Sequence, residues 1–426
     1  MELSNNKKIL FIILFILAIF FFCFLLYSSF FKPAPPASIE APIIEPKDSI
    51  EKLPEIGEGA GKKIIEIDAE TGLPIEKKIE NIIPVTPETP ITYQVSPLAT
   101  GGKTQIYSLP VQNVQNVTLN SSDSSLLYYQ KNTGEFYKLS PDGKIKTLLT
   151  KDVYPDVKKV SWSPRKDKAI LEFPDGSKIV YNFSQNKQYS LPKNWNDFSF
   201  APQGDSIAFK TTSNNPDKRW LSIANADGTG YKGIEPMGEN DSKVEVNWSP
   251  SQQVVALYAE SVGIDQQEVY FIGQNGENFL SMMVEGQDFK SKWSPKGDKL
   301  LYSVYSDDAN NNPTLWIVNA EGESIGKNRI FVGLQTWSNK CIFSSDSKNI
   351  YCAVPRNLPT GSGFYPELAD ESPDDFYKID AETGQKKLLA IPFGADYSVD
   401  QVTLSEDEKY LFFTDKNMEL HKIQLK

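Results

Sequence analysis

The sequence predicts an all-β fold, and three observations indicate it. One pattern recurs seven times: an aromatic or apolar anchor, a short polar turn and a strongly apolar strand. The anchors lie 38 to 61 residues apart, a spacing typical of four-stranded propeller blades. Turn dipeptides such as Asp142-Gly143 and Asn275-Gly276 are dense, and helix signals are scarce after the N-terminus. These observations predict a seven-bladed β-propeller of four-stranded blades over residues 101–426. The anchors are Leu119, Trp162, Phe200, Trp248, Trp293, Phe343 and Leu404.

An apolar segment near the N-terminus predicts one transmembrane helix. The run from Ile9 to Tyr27 is unbroken, and apolar residues extend it to Phe31. About 20 apolar residues span a bilayer as a helix. A cleaved signal peptide has a shorter apolar core and small residues at its cleavage site. We therefore expect a single-pass, uncleaved signal-anchor helix at 9–31 that follows a cytoplasmic tail at 1–8.

The charges around this segment predict its orientation. Lys7 and Lys8 precede it, and only Lys32 closely follows it. Basic residues favour the cytoplasmic side of a membrane. We therefore expect a cell-membrane protein with a cytoplasmic N-terminus and an extracytoplasmic propeller.

Residues 32–100 predict an extended linker, because eleven prolines lie between positions 33 and 100. Within it, residues 62–79 alternate apolar and charged side chains around a Glu-Thr-Gly turn, which predicts a β-hairpin. An isolated hairpin is marginally stable in water. Docking of this hairpin on a sheet edge or a partner, and a transient hairpin within a flexible linker, both remain open.

The last repeat predicts how the ring closes. Its strands are expected near Val399–Leu404, at 409–414 and at 418–425, after which the sequence ends without a fourth strand. The segment 104–109 precedes the first repeat and has no other assignment. We expect it to be the outer strand of the seventh blade, because closure removes an open sheet edge.

Two cysteines flank the turn of the sixth repeat. If Asp346 and Ser347 are the centre of this turn, Cys341 and Cys352 face each other on adjacent strands, within reach of a disulfide. An oxidising compartment permits the bond. The alternative is a pair of small buried side chains that never oxidise.

The sequence predicts no catalytic residue, cofactor site or metal site. His421 is the single histidine, and it shares its strand position with aromatic residues of other repeats, which favours a packing role. No Ser-His-Asp or Cys-His site has another histidine to use. The net charge of −11 also argues against nucleic acid as a partner.

Long loops between the second and third strands of the later blades are the candidate binding region. The loop of the fifth repeat has Asp307, Asp308 and Asn310, which we interpret as a solvated loop rather than a calcium site. The loop of the sixth repeat is the longest, at 355–375. Its candidate partner-binding residues are Phe364, Tyr365 and Glu367. A mobile insertion without a partner remains the alternative.

The repeats resemble the TolB-type β-propeller family. The resemblance depends on the string Trp-Ser-Pro-Lys-Gly-Asp-Lys-Leu-Leu-Tyr at 293–302 and its copies at 162, 200 and 248, and it covers residues 101–426 only. The member that gives the family its name binds protein partners of the cell envelope and carries an additional N-terminal globular domain. In this chain an apolar segment and a proline-rich linker stand in its place, so the resemblance implies the fold but no particular partner.

The sequence therefore predicts a non-catalytic scaffold that binds envelope or secreted proteins through its long-loop face. Two alternatives remain: a carbohydrate-active or other hydrolytic propeller with carboxylates near the central channel, and a glycan-binding module.

Overall fold

The computed structural model describes residues 95–120 and 122–426, together with the backbone of two short strands, Ile65–Ile67 and Pro74–Glu76. These two strands pair antiparallel, with Glu66 opposite Ile75, inside the segment predicted as a hairpin. The predicted transmembrane segment 9–31 lies outside the described residues. Within the described part of the chain, no helix has the length and apolarity needed to cross a membrane.

Seven sheets form the blades of a β-propeller. Each blade has four antiparallel strands, named a to d outward from the centre, and the sheet of blade 6 has one additional strand at its outer edge. The a strands of neighbouring blades contact one another, which places them around the central channel. In the order a to d, the strands of blade 1 are Val114–Leu119, Leu126–Gln130, Glu135–Leu139 and Lys146–Leu148. Those of blade 2 are Lys159–Trp162, Lys168–Glu172, Lys178–Asn182 and Lys187–Leu191. Those of blade 3 are Trp195–Phe200, Ser206–Thr211, Trp220–Asn225 and Lys232–Pro236. Blades 4 and 5 are Val244–Val246, Val254–Ser261, Gln266–Gly273, Met282–Glu285; and Gln287–Trp293, Lys299–Tyr305, Pro313–Asn319, Ile330–Phe331. Blades 6 and 7 are Cys341–Phe343, Asn349–Pro355, Asp374–Asp380, Lys386–Phe393; and Val399–Leu404, Tyr410–Asp415, Leu420–Gln424, Tyr107–Ser108.

The serine after most anchors explains the conserved shape of the a–b turns. In blade 5, Ser294 is buried, its hydroxyl donates to Asp298 Oδ1 at 2.7 Å, and it accepts the N–H of Lys299 at 3.1 Å. Ser163 makes the same two bonds in blade 2, to Asp167 and from Lys168. The Ser-Pro-x-x-Asp string therefore satisfies the buried polar groups of a tight turn before the apolar strand b begins.

Two of the three tryptophan anchors, Trp162 and Trp293, also join blade to blade. Trp162 Nε1 donates to the carbonyl of Asn116 at 2.7 Å, and Trp293 Nε1 donates to the carbonyl of Asn247 at 3.0 Å. In each case the acceptor lies on or next to strand a of the preceding blade. Each indole thus buries its ring between two sheets while its polar group is satisfied.

A second set of rings crosses from strand b to strand c. Tyr128 faces Tyr137 in blade 1, with ring centroids 5.8 Å apart, and Tyr302 faces Trp316 in blade 5 at 6.3 Å. In blade 7 the corresponding pair is Phe413 and His421, at 4.9 Å. Such cross-strand pairs stabilise a sheet and fill the space between stacked blades.

Ring closure differs in part from the strand expected at 104–109. Tyr107–Ser108 pairs antiparallel with strand c of blade 7 and is its outermost strand. Gly102–Gln105 instead pairs parallel with Lys386–Phe393, as a fifth strand on blade 6. The segment therefore covers the outer edges of two adjacent blades. Its parallel pairing with blade 6 joins residues far apart in the chain, so no local sequence pattern predicts this pairing.

The two cysteines of blade 6 face each other in the register given by their turn. Cys341 pairs with Cys352, their Cα atoms lie 4.1 Å apart, and a disulfide joins them. Both residues are fully buried in the core between blades 5 and 6. The crosslink therefore joins strands a and b at a point shielded from solvent reductants.

Because strands alternate in direction, the a–b and c–d turns lie at one end of the ring and the b–c and d–a connections at the other. We call the second end the long-loop face. Its b–c connections span 212–219 in blade 3, 306–312 in blade 5 and 356–373 in blade 6. In blade 4, strands b and c are eight residues each, and only residues 262–265 connect them.

Candidate functional site

The long b–c loop of blade 6 is fastened to the b–c loop of blade 5. Gly361 N–H donates to the carbonyl of Asn310 at 3.0 Å, and Gly363 N–H donates to that of Asn311 at 2.8 Å. A Cβ at Gly363 would lie 2.4 Å from the Cβ of Tyr305, so only glycine permits this close approach. The loop is therefore an ordered surface element with fixed contacts.

This fastening leaves several apolar side chains in solvent. Phe364 packs its ring against Tyr305, with centroids 4.3 Å apart, yet half of it remains exposed. Tyr365 is 61% exposed, and Leu368, on the short 3-10 helix Pro366–Ala369, is also exposed. Exposed aromatic side chains on a rigid support are typical of the residues that dominate binding energy in protein interfaces.

A groove of mixed polarity, with an exposed apolar side chain and two aromatic rings among polar residues, lies beside the blade 5 loop. Ile264, which is 88% exposed, Trp316 and Phe331 line it, together with Asp308 and Ala309. The rings of Trp316 and Phe331 lie 4.8 Å apart. The short 3-10 helix Asp307–Ala309 therefore stands between the groove and the docked loop that presents Phe364. Together these two parts form what we call the apolar patch of the long-loop face.

The candidate residues predicted from sequence fall into three places. Asp308 borders the groove, while Asp307 accepts a hydrogen bond from Asn311 Nδ2 at 2.9 Å and shapes the loop. Asn310, in the left-handed region with φ 56°, offers its carbonyl to the docked loop. Phe364 and Tyr365 belong to the apolar patch. Glu367 lies apart from them, at the mouth of the central channel.

The channel mouth carries a ring of polar side chains. Five of them, from blades 2 to 6, line its cavities, and all occupy the position three residues before an anchor. The seven residues at this position are Asn116, Lys159, Asp197, Glu245, Lys290, Lys340 and Gln401. Lysines and carboxylates alternate irregularly around this ring, and several are paired, such as Lys290 with Asp288 at 3.0 Å. This arrangement suits a polar, zwitterionic ligand or segment more than a strongly anionic one.

Glu245 is the most perturbed carboxyl group of the channel wall. Burial raises its pKa to about 7, although the charge of Lys290 and the hydrogen bonds from Ser291 and Asn247 offset part of the rise. The backbone N–H of Ser291 donates to Oε2 and Asn247 Nδ2 donates to Oε1, both at 3.2 Å. At neutral pH this carboxyl is therefore poised to gain or lose a proton.

We predict that Glu245→Gln changes how stability depends on pH. In the unfolded chain the carboxyl loses its proton near 4.5, whereas in the folded protein it keeps the proton to about 7. The folded state thus binds more protons in that window, and wild-type stability should fall as pH rises from about 4.5 to 7. The variant should match wild type near pH 4 and exceed it at pH 8, by at most about 3 kcal/mol.

Urea unfolding between pH 4 and pH 8 measures this difference. Glu321→Gln, at an exposed position in the c–d connection of blade 5, is the matched control and should follow the wild-type curve. Stability curves of the Glu245 variant and wild type that run parallel over the whole range would show that the Glu245 carboxyl does not control this pH dependence.

A buried ion pair lies beside the channel and joins blades 6 and 7. Lys340 Nζ donates to both carboxylate oxygens of Asp374, at 2.7 and 2.8 Å, and Asp374 Oδ2 also accepts the N–H of Val399 at 2.8 Å. Asp374 is fully buried, and the Lys340 side chain is 9% exposed. Burial lowers the pKa of Lys340 and raises that of Asp374, while each charge opposes the shift of the other.

Sequence reasoning missed this pair and the channel ring for different reasons. The channel ring could have been predicted from sequence, because every residue three positions before an anchor is polar. Asp374 had no such signal, since it belongs to an acidic stretch, 370–375, that is typical of an exposed loop. Lys340 lies 34 residues earlier in the chain, and only the packing of blade 7 against blade 6 buries the two charges together.

Comparisons with known proteins agree with this architecture and add no activity. No protein family model matches the chain, and no curated protein matches it by sequence. The β-propeller domain of Cps50 (Swd1) from Myceliophteria thermophila is similar in structure, with a TM-score of 0.51, 10% identity, and coverage of 75% of this chain and 100% of that one. A chain of the mitotic checkpoint complex is also similar, with a TM-score of 0.51, 12% identity, and coverage of 79% and 95%.

TolB from Acinetobacter baumannii is also among the similar structures, with a TM-score of 0.36, 13% identity, and coverage of 74% of this chain and 65% of that one. At such low identities, likeness in structure shows the fold alone. The chain is therefore a seven-bladed β-propeller with four-stranded blades, and its function has to be inferred from its own surface.

Proposed function

We propose that this protein is a membrane-anchored, extracytoplasmic β-propeller that binds a protein of the cell envelope, or a secreted protein, through the apolar patch of its long-loop face. The observation that carries the proposal is the docked b–c loop of blade 6, which holds Phe364 and Tyr365 exposed beside the groove of Ile264 and Phe331. Exposed aromatic and aliphatic side chains clustered on neighbouring loops are typical of interaction sites.

The chemistry of the patch favours a protein partner. Aromatic and aliphatic side chains offer apolar contacts, and Asp265, Glu285 and Asp308 offer a polar rim, as in typical protein interfaces. The location follows from the sequence: the apolar run at 9–31 as an anchor, Lys7 and Lys8 on the cytoplasmic side, and the linker 32–100 as a tether. The Cys341–Cys352 disulfide fits an oxidising compartment.

Affinity capture with a tagged full-length chain tests the proposal. The double variant Phe364→Ala, Tyr365→Ala should lose a specific partner that wild type captures, because each ring is an exposed anchor and truncation of such an anchor commonly costs about 2 kcal/mol or more. At least half of each side chain is exposed, so the variant should fold and melt close to wild type.

Tyr231→Ala is the matched control. Tyr231 is also about half exposed, but it lies in the c–d turn of blade 3, at the opposite end of the ring. Its substitution should leave the captured proteins unchanged. Equal recovery of the partner with the double variant and with wild type would contradict binding through the apolar patch.

A second candidate function, a carbohydrate-active site at the channel mouth, has one observation in its favour. Asp197, Glu245 and Asp288 line that mouth, and the pKa of Glu245, raised to about 7, suits a general acid or base. Hydrolysis or cleavage by wild type of any member of a panel of anionic and neutral glycans, lost in Glu245→Gln, would support this candidate. Turnover that persists in the variant, or no turnover of the panel, would count against it.

A further inference from the structure

Three metal-ligand side chains meet where strands b and c of blade 7 join. Asp415 ends strand b, Glu419 lies opposite it, and His421 follows two residues later on strand c. Side chains two residues apart on a strand share a face, so all three project from the same side of the sheet. One ligand atom from each lies within 4.8 Å of the other two.

The imidazole of His421 has one satisfied nitrogen and one that lacks a partner. His421 is 1% exposed and packs between the rings of Phe413 and Tyr397. Its Nδ1 contacts Ser108 Oγ at 3.1 Å. Its Nε2 makes no hydrogen bond among the described residues and faces Asp415 Oδ2 at 3.5 Å. A buried nitrogen without a hydrogen-bond partner destabilises the folded protein unless a ligand binds to it.

No lysine or arginine accompanies the two carboxylates of this cluster, Asp415 and Glu419, among the ion pairs of the described residues. Asp415 Oδ1 is used by the turn, because it accepts the N–H groups of Asn417 and Glu419 at 3.1 and 2.9 Å. Its Oδ2 is thus left to face His421, with only the Asn417 side-chain amide beside it at 3.3 Å.

Blades 1 and 4 have a glutamate and a tyrosine at the strand positions that Glu419 and His421 occupy in blade 7. In blade 1, Tyr137 donates its hydroxyl to Glu135 at 2.6 Å, and in blade 4 Tyr270 donates to Glu268 at 2.7 Å. In blade 7 the glutamate remains as Glu419, but a histidine replaces the tyrosine. A hydroxyl donor has therefore been exchanged for an imidazole, which is a metal ligand.

We propose that Asp415, Glu419 and His421 bind a divalent transition-metal ion, with Zn²⁺ as the ion that best suits one imidazole and two carboxylates. His421 Nε2 is the ligand atom, and Nδ1–H donates to Ser108 Oγ, which fixes the tautomer. Ligand atoms about 2.0–2.1 Å from Zn²⁺ lie roughly 3.3 Å apart in a tetrahedron. The 3.5 Å between Nε2 and Oδ2 therefore needs little adjustment.

This site has a structural consequence, because Ser108 belongs to the closing strand. Tyr107–Ser108 pairs with strand c of blade 7, and Ser108 lies directly opposite His421. A metal ion that fixes the imidazole also strengthens its contact with Ser108. Metal binding thus stabilises the closure of the ring.

The chain offers a selective readout, since His421 is its single histidine. Nitrogen-15 histidine NMR of the full-length chain, stripped with a chelator and titrated with ZnCl₂, should show the Nε2 resonance shift and saturate at one equivalent. The melting temperature should rise in the same titration. An Nε2 resonance that does not respond to saturating ZnCl₂ would overturn the proposal.

Variants distinguish the role of these side chains in metal binding from their role in packing. His421→Phe keeps a ring between Phe413 and Tyr397 and should fold, as checked by its melt without metal, yet lose Zn²⁺ affinity at least about tenfold. Glu419→Gln should lose affinity similarly. Glu268→Gln, at the corresponding position of blade 4, is the control and should bind Zn²⁺ like wild type. Equal Zn²⁺ affinity of His421→Phe and wild type would also overturn the proposal.

Discussion

Asp374→Asn is expected to destabilise the propeller by about 3 to 5 kcal/mol, because it leaves the charge of Lys340 buried without a counter-charge. The carboxylate accepts two hydrogen bonds from Lys340 Nζ and one from Val399 N–H, so blades 6 and 7 lose a shared polar contact. For a domain of this size the melting temperature should fall by roughly 4 to 7 °C. Urea unfolding at neutral pH measures the loss of free energy.

Two further variants make the result interpretable. Asp370→Asn removes the carboxylate of a nearby exposed pair, with Lys416, and should change stability by less than about 1 kcal/mol. The double variant Asp374→Asn, Lys340→Met should regain part of the loss, because no buried charge remains. A stability of Asp374→Asn equal to that of Asp370→Asn would contradict the assigned role of the pair.

Replacement of 102–108 by a glycine–serine sequence of equal length is expected to lower the melting temperature by about 5 to 10 °C. The native segment covers the outer edges of two blades: four residues pair with strand d of blade 6 and two with strand c of blade 7. Its loss exposes both edges and releases the adjacent contact of Leu109 N–H with the Leu420 carbonyl. Differential scanning calorimetry measures the shift.

Hydrogen exchange localises the same effect. Protection should fall first in Leu420–Gln424 and Lys386–Phe393, the strands that lose their neighbour. Strands b and c of blade 2, Lys168–Glu172 and Lys178–Asn182, have no contact with the segment and are the internal control. An unchanged melt, or equal loss of protection in blade 2, would show that the segment does not close the ring.

The repeats allow much of the fold to be predicted, because each blade repeats the same local chemistry. Val399–Leu404 has the bounds expected from sequence, since the turn that follows it is fixed by the buried Ser405. The facing of Cys341 and Cys352 follows from the centre of one turn. The register of an antiparallel hairpin is determined by residues close together in sequence, so it can be predicted for each hairpin separately.

The site was harder to predict, because its contacts join distant parts of the chain. Phe364 and Tyr365 were identifiable as aromatic residues in the longest loop, but nothing local predicts that Gly361 and Gly363 fasten this loop to blade 5. Ile264 and Phe331 belong to different blades and form one groove only after the sheets stack. His421 was expected only to pack, although Asp415 and Glu419 lie on the same face of the hairpin.

Photo-crosslinking in cells tests the central claim, binding through the apolar patch, most directly. A photoreactive residue placed at Tyr365 should give one enriched adduct with an envelope or secreted protein, identified by mass spectrometry, because this side chain is 61% exposed at the centre of the proposed interface. The same residue placed at Tyr231, in a c–d turn at the other end of the ring, should not give that adduct. In the variant that carries the photoreactive residue at position 231, deletion of 356–373 should leave the set of background adducts unchanged. An identical set of adducts from both positions, or no protein adduct above background from Tyr365, would contradict the claim that the long-loop face binds a protein.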